Sequence, residues 1–225
     1  AAIFSSLTTF GTAFTGCSRD NFLHSRLIIM WGWNPVVSRF GSDTVYYLSQ
    51  AKKAGARIVC VDPRYTISAK ALAEQWVPIK PGTDTALLTA MAYFMVDEQL
   101  CDRHFIEAYT VGFEKFRDYV IGEEDGIPKT PEWAEVITGV PAETTAQLAR
   151  DYATLKPAAL YASWAPGRTA FGEQYHRAAS ALAAMTGNIG ITGGNAAGGT
   201  GHIPFGKLGK TLSAPESPNP VVNIA

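Results

Sequence analysis

Four short segments hold residue types suited to a phosphorylated, planar ligand. The first is Gly32-Trp33-Asn34-Pro35, which follows an apolar run. A residue without Cβ lets the backbone approach a ligand closely. The N–H groups of Trp33 and Asn34 can meet a phosphate oxygen, and the break is expected to expose the Trp33 indole. The second is Asp62-Pro63-Arg64-Tyr65-Thr66. A carboxylate after a strand can bind a ribose hydroxyl or a purine edge, and a guanidinium can neutralise a pyrophosphate. The third is Lys80-Pro81-Gly82-Thr83-Asp84. There the Asp84 carboxylate can accept two hydrogen bonds from guanine, held by the turn and a helix start. The fourth is Ser163-Trp164-Ala165-Pro166-Gly167-Arg168, an indole and an arginine four residues apart in a Gly/Pro loop. Thr186-Gly187-Asn188-Ile189-Gly190 then closes a helix.

Each segment also has a plain structural reading. Gly32–Pro35 reads as a strand-ending turn. Asp62 or Thr66 reads as a helix cap beside a surface arginine, Asp84 as part of a well-capped helix, and Gly187 or Gly190 as a helix C-cap. The glycines that persist beyond Gly190 need something more.

Other chemistries find little support. His24, His104, His176 and His202 fall in no metal-ligand spacing, and His176 reads as a surface or satisfied helix histidine, although it follows the Trp164–Arg168 loop. Cys17, Cys60 and Cys101 form no C-x-x-C pair, so zinc-ribbon and cubane cluster motifs are absent; they read as isolated thiols, with Cys60 buried in a strand. There is no G-x-G-x-x-G after a strand and no G-x-x-x-x-G-K-[ST]. No Ser-His-Asp or Cys-His arrangement follows from residue order alone.

The elements that must carry these segments are strands and helices in alternation. Leu27–Trp31, Arg57–Val61, Gln75–Ile79 and Ala158–Ala162 are continuous apolar runs, as in parallel strands covered on both faces. Helices are expected from Ser42 or Asp43 to about Ala54, over Asp84–Glu98 with Thr83 as cap, over Glu143–Leu155 and over Glu173–Met185. Residues 100–140 read as a small helical excursion with turns at Gly122–Gly126 and Pro128. The fold class is therefore α/β: a doubly wound, mostly parallel sheet flanked by helices. In such sheets ligands sit beyond the carboxyl ends of the strands, where all four segments begin. The Gly/Pro-rich end, with Gly198, Gly199, Gly201, Pro215, Pro218 and Pro220, cannot build its own core. The chain divides into an α/β domain over 1–198 and an extended or disordered tail over 199–225.

The bulk numbers set limits. With 225 residues and 47% hydrophobic composition, one sizeable core is affordable. Nineteen basic residues against 20 acidic ones give a net charge of −1, which disfavours nucleic acid as a partner. No apolar run suits membrane insertion, and no secretion signal opens the sequence. It reads as a processed protein or a piece of a longer one.

Together, "LIIMWGWNP", "ARIVCVDPRYT", "WVPIKPGTDTALLTAMAYFMVDEQLCD", "ITGVPAETTAQLAR" and "MTGNIGITGGN" resemble the molybdopterin oxidoreductases of the dimethyl-sulfoxide reductase superfamily. The resemblance runs in order over roughly residues 20–200. Within the superfamily, "WGWNP", "DPRYT", "PGTD" and "KTPEWAEVITGVPA" are similar to the catalytic A subunit of anaerobic dimethyl-sulfoxide reductases. The resemblance implies a bis(molybdopterin guanine dinucleotide) molybdenum cofactor. Gly32, Trp33, Asn34 and Pro35 would line its pyrophosphate or pterin side. Asp62, Pro63 and Arg64 would hold the nucleotide, and Gly82 and Asp84 would read the guanine. Gly187 and Asn188 join the cofactor-binding set. Trp164 and Arg168 would face the metal-side funnel, Arg168 polarising the departing oxygen and Trp164 shaping the pocket.

It further implies, for a full-length parent, oxygen-atom transfer from an S-oxide or N-oxide substrate. A [4Fe-4S] cluster would lie in a missing N-terminal part. An iron–sulfur electron-transfer subunit and a membrane anchor subunit would be partners, and the location periplasmic. Family members are several times longer, and their protein ligand to molybdenum precedes the first strand, so none is assigned here and the fragment alone should be inactive. Formate, nitrate, selenate or polysulfide conversion on the same scaffold, or a structural relative without metal, are the alternatives.

Overall fold

A computed structural model describes residues 1–13, 15–38 and 43–197. The four expected strands form one parallel sheet in the order β3-β2-β1-β4. They are β1 (Leu27–Trp31), β2 (Arg57–Val61), β3 (Gln75–Val77) and β4 (Ala158–Ala162). Their apolar runs are continuous because both faces are covered, and the period of two sorts each run between two cores. Leu27, Ile29, Trp31, Val59, Val61, Leu160 and Ala162 face one core; Ile28, Met30, Ile58, Cys60, Ala159 and Tyr161 face the other.

The first core is filled by α4 (Asp84–Asp97), α8 (Ala142–Thr154) and α9 (Gly172–Met185). The helix α4 is apolar on nearly every side because α7 (Pro131–Thr138), α8 and α9 all pack on it, and α6 (Phe113–Ile121) adds Val120. The second core holds Leu48 and Ala51 of α2 (Thr44–Lys53), Ala69 and Leu72 of α3 (Ile67–Leu72), and Phe22 from a 3₁₀ turn over Arg19–His24. This is the doubly wound α/β arrangement. The helical excursion comprises α5 (Arg103–Tyr109), α6 and α7; left-handed Gly122 and Gly139 end the last two.

Several expectations are corrected. The strand β3 stops at Val77 because Pro78 has no N–H for the ladder. Thr83 stands at the N-cap of α4 but does not cap it; its hydroxyl donates to the Lys80 carbonyl at 2.7 Å. Asp43 precedes α2 without a side-chain cap bond, and Ser42 lies outside the described residues, as do Gly198 and the tail at 199–225. One helix was not expected, and a second was signalled only by the cap reading of Thr66. In α1 (Ala2–Phe10) Ser5 and Ser6 are buried while Ile3, Phe4 and Leu7 are exposed, so its polarity runs against the usual signal. The short α3 is set by a true cap, Thr66 Oγ1 accepting from Ala69 N at 3.1 Å.

Candidate functional site

All strands being parallel, the segments after β1, β2, β3 and β4 emerge along one rim. The sheet order reverses between β1 and β4, and there the two following loops touch. Gly32 takes φ +57, and a Cβ on it would fall 2.5 Å from Cδ of Pro166. The glycine thus serves contact between loops, whereas the sequence suggested close approach of a ligand. In the same turn, the Gly32 N–H is spent on the Val61 carbonyl at 2.8 Å. The N–H groups of Trp33 and Asn34 have no backbone acceptor among the described residues. Those two donors remain available, as expected.

The Trp33 side chain contradicts the sequence reading. Its indole is buried, stacked on Tyr161 with ring centroids 3.8 Å apart, and packed near Phe22. Residue 33 therefore points its side chain into the second core, leaving only its backbone at the rim. Asn34 Oδ1 accepts from the buried Ser68 hydroxyl at 2.6 Å, and Ser68 Oγ accepts from Val36 N at 3.0 Å. That pair ties the β1 turn to α3, with Pro35 buried between them.

After β2, Asp62 is buried and its Oδ1 accepts from Arg64 N at 2.9 Å, closing an Asx turn. The Asp62 carbonyl accepts from Trp76 Nε1 at 2.8 Å. Pro63 and Arg64 are exposed. Arg168, at the end of a 3₁₀ turn over Pro166–Arg168, is exposed too, and Trp164 is half-buried. Neither Arg64 nor Arg168 has an ion-pair partner among the described residues. Two unspent guanidinium groups on one rim suit an anion.

Asp84 is the buried acid of the site. Its Oδ1 accepts from Trp31 Nε1 at 2.8 Å, so the carboxylate is partly engaged by the protein. Burial pushes its carboxyl above the usual carboxylate range; the Trp31 bond and the N–H groups of Asp84 and Gly82 act the other way, and the nearby Asp62 charge adds to the rise. A cavity of about 320 Å³ opens beside Asp84, also lined by Gly82, Pro166, Thr169, Phe171 and Gln174. The turn after β3 faces the loop after β4 across it: a Cβ on Gly82 would meet only Thr169 Cγ2, at 3.9 Å. Of the candidate site residues, Gly82 and Asp84 line this cavity, with Thr83 and Pro166 from the same segments; Gly32, Trp33, Asn34, Pro35, Asp62, Pro63, Arg64, Trp164 and Arg168 follow strands on the same rim without lining it.

Gly187 and Asn188 stand apart from the rim. Asn188 is fully buried, and its Oδ1 accepts from N of Ala158, the first residue of β4, at 3.0 Å. A five-residue strand spans roughly 16 Å, which separates that edge from Ser163. Nδ2 of Asn188 donates to Thr186 Oγ1 at 2.9 Å. Left-handed Gly187 packs on Asp102, where a Cβ would lie 2.4 Å from Oδ2. Both residues brace the amino edge of the sheet.

Sequence reasoning missed three neighbours of the site and misread a fourth. Trp31 was read only as the end of a strand, yet its ring nitrogen holds Asp84. Tyr175 is buried over Trp31 with its hydroxyl 3.4 Å from the Trp31 carbonyl, and burial raises its phenol well above the ordinary value. Phe171 is 79% exposed on the lip of the cavity. His176 is neither a surface nor a satisfied histidine: it is fully buried, and neither ring nitrogen has a hydrogen-bond partner among the described residues. It packs under the loop, where a Cβ on Gly167 would lie 2.4 Å from Nε2. Burial lowers its pKa to about 4. None of these contacts has a local sequence pattern. Cys17, Cys60 and Cys101 are free thiols, with Cys60 buried as expected.

Residues 4–219 match the family model described as molybdopterin oxidoreductase. The chain is 41% identical to dimethyl sulfoxide reductase DmsA of Escherichia coli strain K12, over 92% of this chain and 27% of that protein. It is 38% identical to a trimethylamine-N-oxide reductase of Haemophilus influenzae, over 76% of this chain and 21% of that one. Among solved structures, acetylene hydratase from Pelobacter acetylenicus superposes with a TM-score of 0.70 at 27% identity, covering 86% of this chain and 25% of its own. The chain thus spans about a quarter of the length of the curated relatives it matches.

Proposed function

The chain belongs to the molybdopterin oxidoreductase family, and from that premise we propose that its carboxyl rim holds one guanine-nucleotide arm of a bis(molybdopterin guanine dinucleotide) molybdenum cofactor. Residues 1–198 are the cofactor-binding domain of a larger catalytic subunit, and 199–225 a tail. The observation that carries this reading is the cavity beside Gly82 and Asp84, at the edge where α/β sheets take ligands.

The residues present fit such a group. The N–H groups of Trp33 and Asn34 and the guanidinium group of Arg64 suit a pyrophosphate. The Asp84 carboxylate, with Oδ1 already oriented by Trp31, suits the N–H edge of guanine. Asp62, though tied into its own turn, adjoins the place for a ribose. When bound, a molybdenum cofactor of this kind supplies oxygen-atom transfer, and the protein binds, orients and polarises. Arg168 is a fixed cation for a substrate oxygen, and Trp164 shapes the pocket. Similarity to sulfoxide and N-oxide reductases supports an S-oxide or N-oxide as the parent's small-molecule substrate. The motif resemblance further leads us to propose that the parent carries a [4Fe-4S] cluster. It works with an iron–sulfur electron-transfer subunit and a membrane anchor subunit, in the periplasm. No helix among the described residues is long and apolar enough to cross a membrane. Gly187 and Asn188 support the fold of this domain rather than the cofactor.

In the full-length parent, Asp84→Ala should lower molybdenum content and acid-released GMP together, with the helix content of the protein kept. Unchanged content of both would refute the role. Arg168→Ala should lower turnover more than cofactor content; equal loss would make it a structural residue.

A further inference from the structure

Phe171 occupies a costly position twice over. Its backbone is left-handed, φ +56 and ψ 26, a conformation that falls to glycine at most other such sites in this chain. Its ring is 79% exposed. Neither cost has a compensating contact in the packed layers, because Phe171 belongs to neither core. The tight loop around it explains the backbone but not the side chain. Gly172 N–H bonds the Thr169 carbonyl at 3.1 Å, and a Cβ on Gly172 would lie 2.3 Å from the Gly167 carbonyl oxygen. Residue 171 is thereby forced left-handed, where a glycine or asparagine would sit more easily. A large exposed aromatic retained at such a point marks function more often than packing.

The ring lines the same cavity as Asp84. That cavity therefore presents a carboxylate on one side and an aromatic surface on another, with Gln174 nearby as a further polar group. A flat ring that carries adjacent N–H donors can satisfy both: its edge meets the acid, and its face meets the phenyl ring. We propose that Phe171 is a positioning residue, the stacking wall for a 2-amino-4-oxopyrimidine ring whose donor edge is turned to Asp84. This rests on the reading of the rim given above and adds a recognition element to it. The same donor edge occurs in guanine and in the pterin ring, so the shared chemistry is named here and the two sources are separated by experiment.

The test is calorimetric titration of the 225-residue chain with GDP, with ADP and with neopterin, for wild type, Phe171→Gly, Phe171→Tyr and Asp84→Asn, alongside thermal unfolding of each. Relief of left-handed strain should raise the Tm of Phe171→Gly while its affinity for GDP or neopterin falls roughly tenfold. Phe171→Tyr should keep wild-type affinity, and ADP should bind more weakly throughout. The pairing of higher stability with weaker binding is not what a merely structural side chain gives. If Phe171→Gly binds as wild type does while Asp84→Asn loses binding, the stacking role is overturned and the nucleotide reading stands. If neopterin binds and GDP does not, stacking stands and the guanine assignment falls. If no compound binds at millimolar concentration, both fall. A Tm loss in Phe171→Gly matching its loss of affinity would also overturn the proposal.

Discussion

An imidazole without a hydrogen-bond partner among the described residues lies beneath the loop that carries Arg168. His176 keeps its neutral form because burial, aided by the charge of the N-terminal amine, lowers its pKa from 6.5 to about 4. The unfolded chain binds a proton near pH 6.5 that the folded chain refuses until about pH 4. Stability is therefore full above pH 6.5, falls as the pH drops through that window, and levels out below 4. The raised Asp84 carboxyl works in the opposite sense, so the clean measurement is a difference. Denaturant unfolding at pH 5 should show His176→Leu gaining on wild type by roughly 2 kcal/mol relative to the same comparison at pH 7.5. A pH-independent difference would mean that the ring finds a partner. The sequence could not show this. Its reading of His176 lacked the contact with Gly167, nine residues earlier, where only a missing side chain makes room for the ring. The place of Asp84 at the start of a long helix after a glycine turn was legible. Its bond to Trp31 was not, since it joins residues 53 positions apart.

Elements were the most legible level. Three strands appear with the expected bounds, since continuous β-branched and apolar runs between turn residues have little choice once both faces are covered. The helix α1 escaped because its serines point inward and its large apolar residues outward. What the sequence left out is how the loops after β1 and β4 close on each other. That closure gives a paired expectation for two left-handed glycines. Gly32→Ala meets the Pro166 ring at 2.5 Å and should cost about 3 kcal/mol or more. Gly82→Ala finds open space, its nearest contact 3.9 Å away, and should cost only the backbone strain of about 1–2 kcal/mol. Thermal unfolding of the two variants decides: similar losses would show that the β1 and β4 loops do not touch as described. The correction at Gly187 and Asn188 belongs here as well. Glycine and asparagine after a helix look alike in sequence whether they end at a ligand or brace the far edge of a sheet.

At the scale of the whole molecule, the described residues form one parallel sheet between two helical layers, with its amino edge stapled and its carboxyl edge open. The stapled edge spends its polar groups internally, as in Ser25 Oγ donating to the Gly193 carbonyl at 2.7 Å and Asn188 holding Ala158. Two thiols are shielded as well: burial pushes Cys60, near the carboxyl end of β2, up to about 12 and Cys101 up to about 11, so neither should react with iodoacetamide at pH 8 until the chain unfolds. Rapid labelling of Cys60 in the native chain would contradict the packing of the second core. The open edge, by contrast, keeps the N–H groups of Trp33 and Asn34 and the guanidinium groups of Arg64 and Arg168 unspent among the described residues, on the rim that also bears the cavity. The most direct measurement of that division is backbone amide NMR of the chain during titration with GDP. The amides of Trp33, Asn34, Gly82 and Asp84 should shift together along one saturating curve, while those of Ala158 and Asn188 stay still. Shifts confined to the amino edge or to the helices between Arg103 and Thr138, or none at saturating nucleotide, would contradict the rim as the binding site.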